Sequence, residues 1–215
     1  METDSAKPKF QRRAEDRPDE VLDAALSLFS TKGYARSSVS EIARAAGLSK
    51  GAVYLYFPSK HDILLGLVRR AVGTLITNFE AFAALDTLPA RTAITQMMTQ
   101  IGEAMSDPAR IAIPKLVLRE GASAPEIATL YREEVLSRGL PVLETLIRRG
   151  IARGELRAVD PHHATCCLIG ALVSHILLTE LFGMPCEGTL PELIDTHLGI
   201  IFDGLTAPRT LETSR

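Results

Sequence analysis

The stretch that decides the fold runs from Ser38 to Lys60, SVSEIARAAGLSKGAVYLYFPSK. Ser38 followed by Glu41 is a capping box: the hydroxyl accepts a free backbone N–H at a helix start and the carboxylate reaches back to the cap. Ile42, Ala43 and Ala46 then share one face at helical spacing. Gly47 follows where the chain must turn, a place for a positive φ. Ser49 caps a second short helix whose Val53 and Phe57 point back towards a core. Pro58 stops that helix, and Ser59 caps a third with Asp62 in its first turn. The spacing predicts helix, tight turn, helix.

A major groove about 12 Å wide admits one helix, and a helix-turn-helix sends the opening residues of its second helix towards the base edges. Gly51 removes a side chain that would hold the backbone away, and Lys50 can donate to guanine O6 or N7. Tyr54 and Tyr56 diverge around the helix, each with a hydroxyl for a phosphate, and phosphate contacts set register. Lys60 opens the next helix, where its charge and the free N–H groups favour an anion. The candidate DNA-contacting set is therefore Ser38, Ser40, Ser49, Lys50, Gly51, Ala52, Tyr54, Tyr56 and Lys60. Mere packing of a capped helix pair is the competing reading; three caps, a glycine turn and the Lys/Tyr series coinciding weigh against it.

The run I-A-x-x-A-G-[LV]-S-x-G-x-[LV]-Y-x-[YH]-F-x-[SN]-K, matched from Ile42 to Lys60, resembles the signature of the TetR family of transcriptional regulators. The resemblance implies an all-α homodimer with a small N-terminal DNA-reading domain and a larger C-terminal domain that binds a small molecule and releases DNA. It also implies base contacts from Lys50, Gly51 and Tyr54, and phosphate contacts from Ser38, Tyr56 and Lys60. The family's C-terminal domains diverge widely and name no ligand.

Charge is unevenly distributed. Residues 1–70 carry 12 Lys and Arg against 9 Asp and Glu, and the remainder 12 against 17, so the basic excess falls on the DNA motif. Residues 1–17 read as a disordered basic arm with Lys7, Lys9, Arg12 and Arg13, suited to a phosphate track or to solubility. Pro18 reads as the first position of helix one, followed by the apolar stripe Leu22, Ala25, Leu26 and Phe29, with Gly33 just past its end. The expected domains are 18–65 for DNA, 66–206 for effector binding and dimerisation, and 207–215 as a tail.

A long helix is expected from His61 to about Leu85, and the family resemblance makes it a lever between the domains. Further helices are expected near Ala90–Met105, Ala109–Glu120, Pro125–Arg153, Pro161–Phe182 and Leu190–Leu205, with a kink at Gly139 and Pro141. No strand alternation appears, so the fold class is all-α. Cys166, Cys167 and Cys186 lack a C-x-x-C spacing and read as reduced core residues, with a redox-sensing thiol as the sharper alternative. The N-terminus lacks an apolar signal region, and Ala164–Phe182 is interrupted by Ser174, His175 and Glu180, which favours a buried helix in a cytoplasmic protein over a membrane span.

Two faces of the C-terminal part are candidates for function. Met97, Met98, Ile101 and Met105, with Tyr131, His175, Thr179 and Phe182, suit a pocket for a mostly apolar ligand; ordinary core is the competing reading. Ala164, Cys167, Gly170, Ala171 and Ser174, with Leu193, His197, Ile200 and Ile201, suit a close helix interface, and the resemblance implies that it joins two subunits; packing inside one subunit competes. The histidines lack metal spacing, and no nucleophile elbow, phosphate loop or carboxylate pair stands out, so no cofactor, metal or catalytic residue is expected. The combined reading is a ligand-responsive DNA-binding regulator, a repressor, acting as a homodimer on a palindromic operator. An activator or architectural protein without effector, and an enzyme using the C-terminal pocket, stand beside it as alternatives.

Overall fold

The computed structural model describes residues 9–84, 87–185 and 187–203, with side chains described from residue 17. All regular structure among the described residues is helical: α1 Lys9–Thr31, α2 Val39–Ala45, α3 Lys50–Tyr56, α4 Lys60–Val68, α5 Thr74–Ala84, α6 Ala90–Met105, α7 Pro108–Glu120, α8 Pro125–Tyr131, α9 Ser137–Ala152, α10 Pro161–Glu180 and α11 Leu190–Asp203. Wide π-helical turns, Arg69–Gly73 and Arg132–Leu136, join α4 to α5 and α8 to α9. The described residues fall into two compact units, one within Met1–Thr74 and Pro108–Leu136, the other within Leu75–Asp107 and Ser137–Arg215.

The first unit packs α1 to α4 with α7 and α8. The stripe of α1 supplies Val21, Leu22, Ala25 and Phe29, all buried, against Ile42, Ala43, Val53, Ile63 and Leu67. The Phe29 and Tyr34 rings meet edge-on at 5.1 Å. Gly66 lets α4 come close to this layer: a Cβ there would lie 2.9 Å from the Phe57 ring and 3.0 Å from Leu22. At the unit's edge, Arg69 grips Glu134 with two hydrogen bonds of 3.0 and 3.1 Å.

In the second unit α6, α9, α10 and α11 share a core of Ile94, Met97, Met98, Leu143, Ile147, Leu168 and Ile194. Gly102 is the point where α6 touches α11, since any Cβ would strike Ile194. Arg91 clamps Asp203 with two hydrogen bonds of 2.8 Å while lying 4.9 Å from the Phe202 ring centroid.

Three expectations are corrected. Helix one opens at Lys9, so the arm expected over 1–17 is helical from residue 9 and Pro18 lies inside the helix. Lys9 to Arg17 is rich in good helix formers but has no apolar periodicity, the signal used to place the start. The helix expected as one segment over Pro125–Arg153, interrupted at Gly139 and Pro141, is interrupted earlier, by the π turn Arg132–Leu136, and α9 continues as helix through Pro141. Cys166 and Cys167 are exposed rather than core, because the inward positions of α10 are Thr165, Leu168, Leu172 and Ile176. Cys186, residues 1–8, the end of the long helix at Leu85 and the 207–215 tail lie outside the described residues.

Candidate nucleic-acid interface

Local capping builds α2 and α3. The Ser38 hydroxyl accepts the Glu41 N–H at 3.3 Å, and the Glu41 carboxylate accepts the Ser38 N–H at 2.9 Å and the Ser38 hydroxyl at 2.8 Å. Lys32 pairs with the same carboxylate. Together these partners, Lys32 first, hold the Glu41 carboxyl down at about 2. After Ala46 the chain reverses at Gly47, φ +67°. Nothing lies within 4 Å of a Cβ there, so backbone conformation rather than space calls for glycine. Leu48 N–H closes the turn on the Ala43 carbonyl at 2.9 Å.

Ser49 then caps α3 by accepting the Ala52 N–H at 3.1 Å. Val53 anchors the helix at 0 % exposure, which turns Lys50, Gly51, Tyr54 and Leu55 outward. A Cβ on Gly51 would meet only the Ser49 hydroxyl, at 3.9 Å. Its missing side chain serves no contact inside the protein and leaves the α3 backbone open to an outside surface. Lys50 Nζ lies 5.6 Å from the Tyr54 ring centroid, so the cation rests on an aromatic side chain that is itself outward. Ser38 and Ser40 are exposed, Ala52 and Tyr56 half-buried. Leu55, 83 % exposed, was missed by sequence reasoning, which treated apolar residues as core; its signal is an i+2 offset from the buried Val53.

Lys60 is held within the first unit. Its ammonium donates to the carbonyls of Tyr34 at 2.9 Å, Ser37 at 3.1 Å and Ala35 at 3.4 Å, and lies 4.2 Å from the Tyr34 ring centroid. An ammonium has three donors, and all three are directed at one loop, so Lys60 ties α4 to residues 34–37. Desolvation lowers its pKa, opposed by the charges of Glu126 and Glu120.

The remaining candidates divide. Met97, Met98 and Met105 are buried core of the second unit and Ile101 is half-buried. Tyr131 belongs to the first unit, its phenol pushed up to about 12 by burial. His175 Nδ1 is buried without a partner, and the Thr179 hydroxyl donates to the His175 carbonyl at 2.8 Å. Phe182, expected in a pocket, is 61 % exposed because α10 ends at Glu180. On the other face, Ala171 is buried within the subunit, while Ala164, Gly170 and Leu193 are half-buried. His197 Nε2 lies 3.0 Å from the Cys167 carbonyl, so this residue fastens α11 to α10 internally. Ser174, Ile200 and Ile201 are exposed, with Val173, which the sequence reading passed over. Among the described residues no group of three His, Cys, Asp or Glu converges as a metal site.

The profile "Bacterial regulatory proteins, tetR family" matches residues 21–67, and "Tetracyclin repressor-like, C-terminal domain" matches 84–196. The fatty acid metabolism regulator protein of Bacillus subtilis is 31% identical over 142 residues, 64% of this chain and 70% of that protein. The crystal structure of the transcriptional regulator FadR from Bacillus subtilis in complex with stearoyl-CoA superposes with TM-score 0.72 at 25% identity, covering 87% of this chain and 99% of that one. A Clostridium perfringens putative fatty acid metabolism regulator shares the fold at TM-score 0.73 and 21% identity, covering 88% of this chain and 100% of that one. The chain belongs to the TetR family of bacterial transcriptional regulators.

Proposed function

We propose that this protein is a cytoplasmic, homodimeric repressor, without catalytic activity, that reads a near-palindromic operator and is released by an acyl-chain effector. In this reading residues 18–65 hold the DNA and 66–206 hold the effector and the partner subunit. The observation that carries the DNA half is the outward trio Lys50, Gly51 and Tyr54 on a helix anchored by buried Val53. Lys50 and Gly51 approach base edges and Tyr54 reaches the groove wall; Ser38, Ser40, Ser49 and Tyr56 serve the phosphates. Lys60 keeps the loop before α2 in place.

Dimerisation rests on α10. It is long and apolar enough to cross a bilayer, yet only 22% of its most apolar stretch is buried within the single chain. Val173 on α10 and Ile200 and Ile201 on α11 are 48%, 41% and 39% exposed, an apolar surface that a second copy would cover. The effector class follows from the relatives named as fatty acid regulators, one of them holding stearoyl-CoA. A ligand releases DNA only by binding more tightly to a dimer whose reading helices are wrongly spaced. Adding stearoyl-CoA to the protein bound to its own upstream region should release the duplex, whereas free coenzyme A should not; equal release by both, or by neither, would contradict an acyl effector.

A further inference from the structure

Val53 fixes how α3 sits, since it is fully buried and holds the helix to the core of the first unit. A helix turns about 100° per residue. Measured from Val53, Lys50 and Tyr54 therefore stand about 60° and 100° round the axis, whereas Gly51 and Leu55 stand about 160° and 200° round it. The two positions that face directly away from the protein are thus Gly51, which has no side chain, and Leu55 one turn later. Leu55 is 83 % exposed, the highest value for a large apolar side chain among the described residues. It does not fold back over the gap at Gly51, because a Cβ there would meet the Ser49 hydroxyl at 3.9 Å and nothing nearer.

An outward leucine gains by contact with another apolar group. It offers no donor or acceptor, so it suits neither a phosphate nor the polar edge of a base. The floor of a major groove carries one apolar group, the C5 methyl of thymine. Beside Leu55 on α3 are Lys50 and Tyr54, both outward, with the Lys50 ammonium 5.6 Å from the Tyr54 ring centroid. A rise of about 1.5 Å per residue puts Leu55 about 7.5 Å along the axis from Lys50, or about two base-pair steps of 3.4 Å. The outward face of α3 is therefore long enough to meet a guanine at its opening and a thymine within about two pairs of it. The apolar surface proposed to meet the second copy is made by other helices, α10 and α11.

Resting on the DNA-reading assignment above, we infer that Leu55 is a specificity residue: its side chain packs on the C5 methyl of a thymine in each operator half-site and selects thymine there over cytosine. Cytosine presents an N4 amino donor in the major groove and no methyl. Under Leu55 it would gain no apolar contact, and its donor would lie unpaired beneath a group that cannot accept. Lys50 then reads by charge and Leu55 by shape, from adjoining faces of one short helix.

A protein and DNA double-substitution cycle on the full chain tests this. Wild type first selects a duplex from a random-sequence library. Each thymine of the selected half-site is then replaced in turn by deoxyuridine, which lacks the methyl and keeps the same base pairing. Fluorescence anisotropy should show wild type losing about fourfold per half-site at one such position, the equivalent of about 0.8 kcal/mol for one buried carbon. Leu55→Ala places the best helix former at an exposed position, so it should melt with wild type. It should bind the thymine duplex more weakly than wild type and bind the thymine and deoxyuridine duplexes alike at that position. Wild type indifferent to deoxyuridine throughout overturns the inference. So does a Leu55→Ala protein that keeps every wild-type loss, or one that weakens on all duplexes equally, as loss of a backbone contact would produce. A chain that selects no duplex overturns the DNA-reading assignment itself, whereas one that selects a symmetric duplex and fails the deoxyuridine test overturns the role of Leu55 alone.

Discussion

The carboxylate of Glu120, at the end of α7, accepts the backbone N–H of Tyr34 at 2.7 Å, 86 residues earlier in the chain. It also takes the Ala35 N–H at 3.3 Å. Gly33 makes room for it, since its φ is +92° and a Cβ would collide with the same carboxylate. Lys60 holds the carbonyls of that loop while Glu120 holds its N–H groups. The link between α1 and the reading helices is therefore gripped from both sides by opposite charges.

Removing the Glu120 charge should loosen this loop. Glu120→Gln is expected to lower unfolding free energy by about 1–2 kcal/mol, the net worth of a charge-assisted hydrogen bond to backbone. Gly33→Ala should cost more, because it adds left-handed strain to the collision. Urea denaturation of both variants checks the order; a Gly33→Ala protein as stable as wild type would contradict the clamp.

Lys60→Met keeps the aliphatic stem and removes the three donors. A lysine that only neutralised a phosphate would reduce the salt slope of DNA binding by about one when removed. Here the expected result is a lower melting temperature with a salt slope changed by well under that amount. Unchanged melting with a full unit lost from the slope would return Lys60 to the phosphate.

The capping box predicts a defined acid response. Glu41 sits near 2 in the folded protein against an ordinary 4.5, so its contribution is fully present above about pH 4.5 and is lost as pH falls towards 2. Glu41→Gln should be less stable than wild type at pH 7, and the gap should close across that window. A gap constant with pH, read from melting curves, would mean the charge is not what holds the cap.

For the subunit interface, sedimentation of wild type at micromolar concentration should give about twice the 23.3 kDa chain mass. Val173→Glu places a charge on an apolar surface that is 48% exposed in the single chain, so it should fold normally and sediment as a monomer. A wild-type monomer, or a dimer indifferent to Val173→Glu, would move the interface elsewhere.

Much of the reading domain was legible in the sequence because its determinants are local. Ser38, Ser49 and Ser59 each cap within three residues, and Gly47 turns the chain on its own. The role of Lys60 was not legible, since its partners lie 23 to 26 residues away and are main-chain carbonyls, which no side-chain pattern encodes. Met97, Met98 and Met105 are buried in the second unit.

The outward stance of Lys50 on α3 is what everything about DNA rests on, and selection of bound duplexes from sheared genomic DNA, for wild type and Lys50→Ala side by side, tests it most directly. Wild type should enrich a two-fold symmetric site with half-sites about 34–36 Å, one helical turn, or a multiple of it apart. Lys50→Ala should lose preference at one symmetric pair of positions, at a cost of about 1–3 kcal/mol. Enrichment of no symmetric site, or an identical site from both proteins, would contradict it.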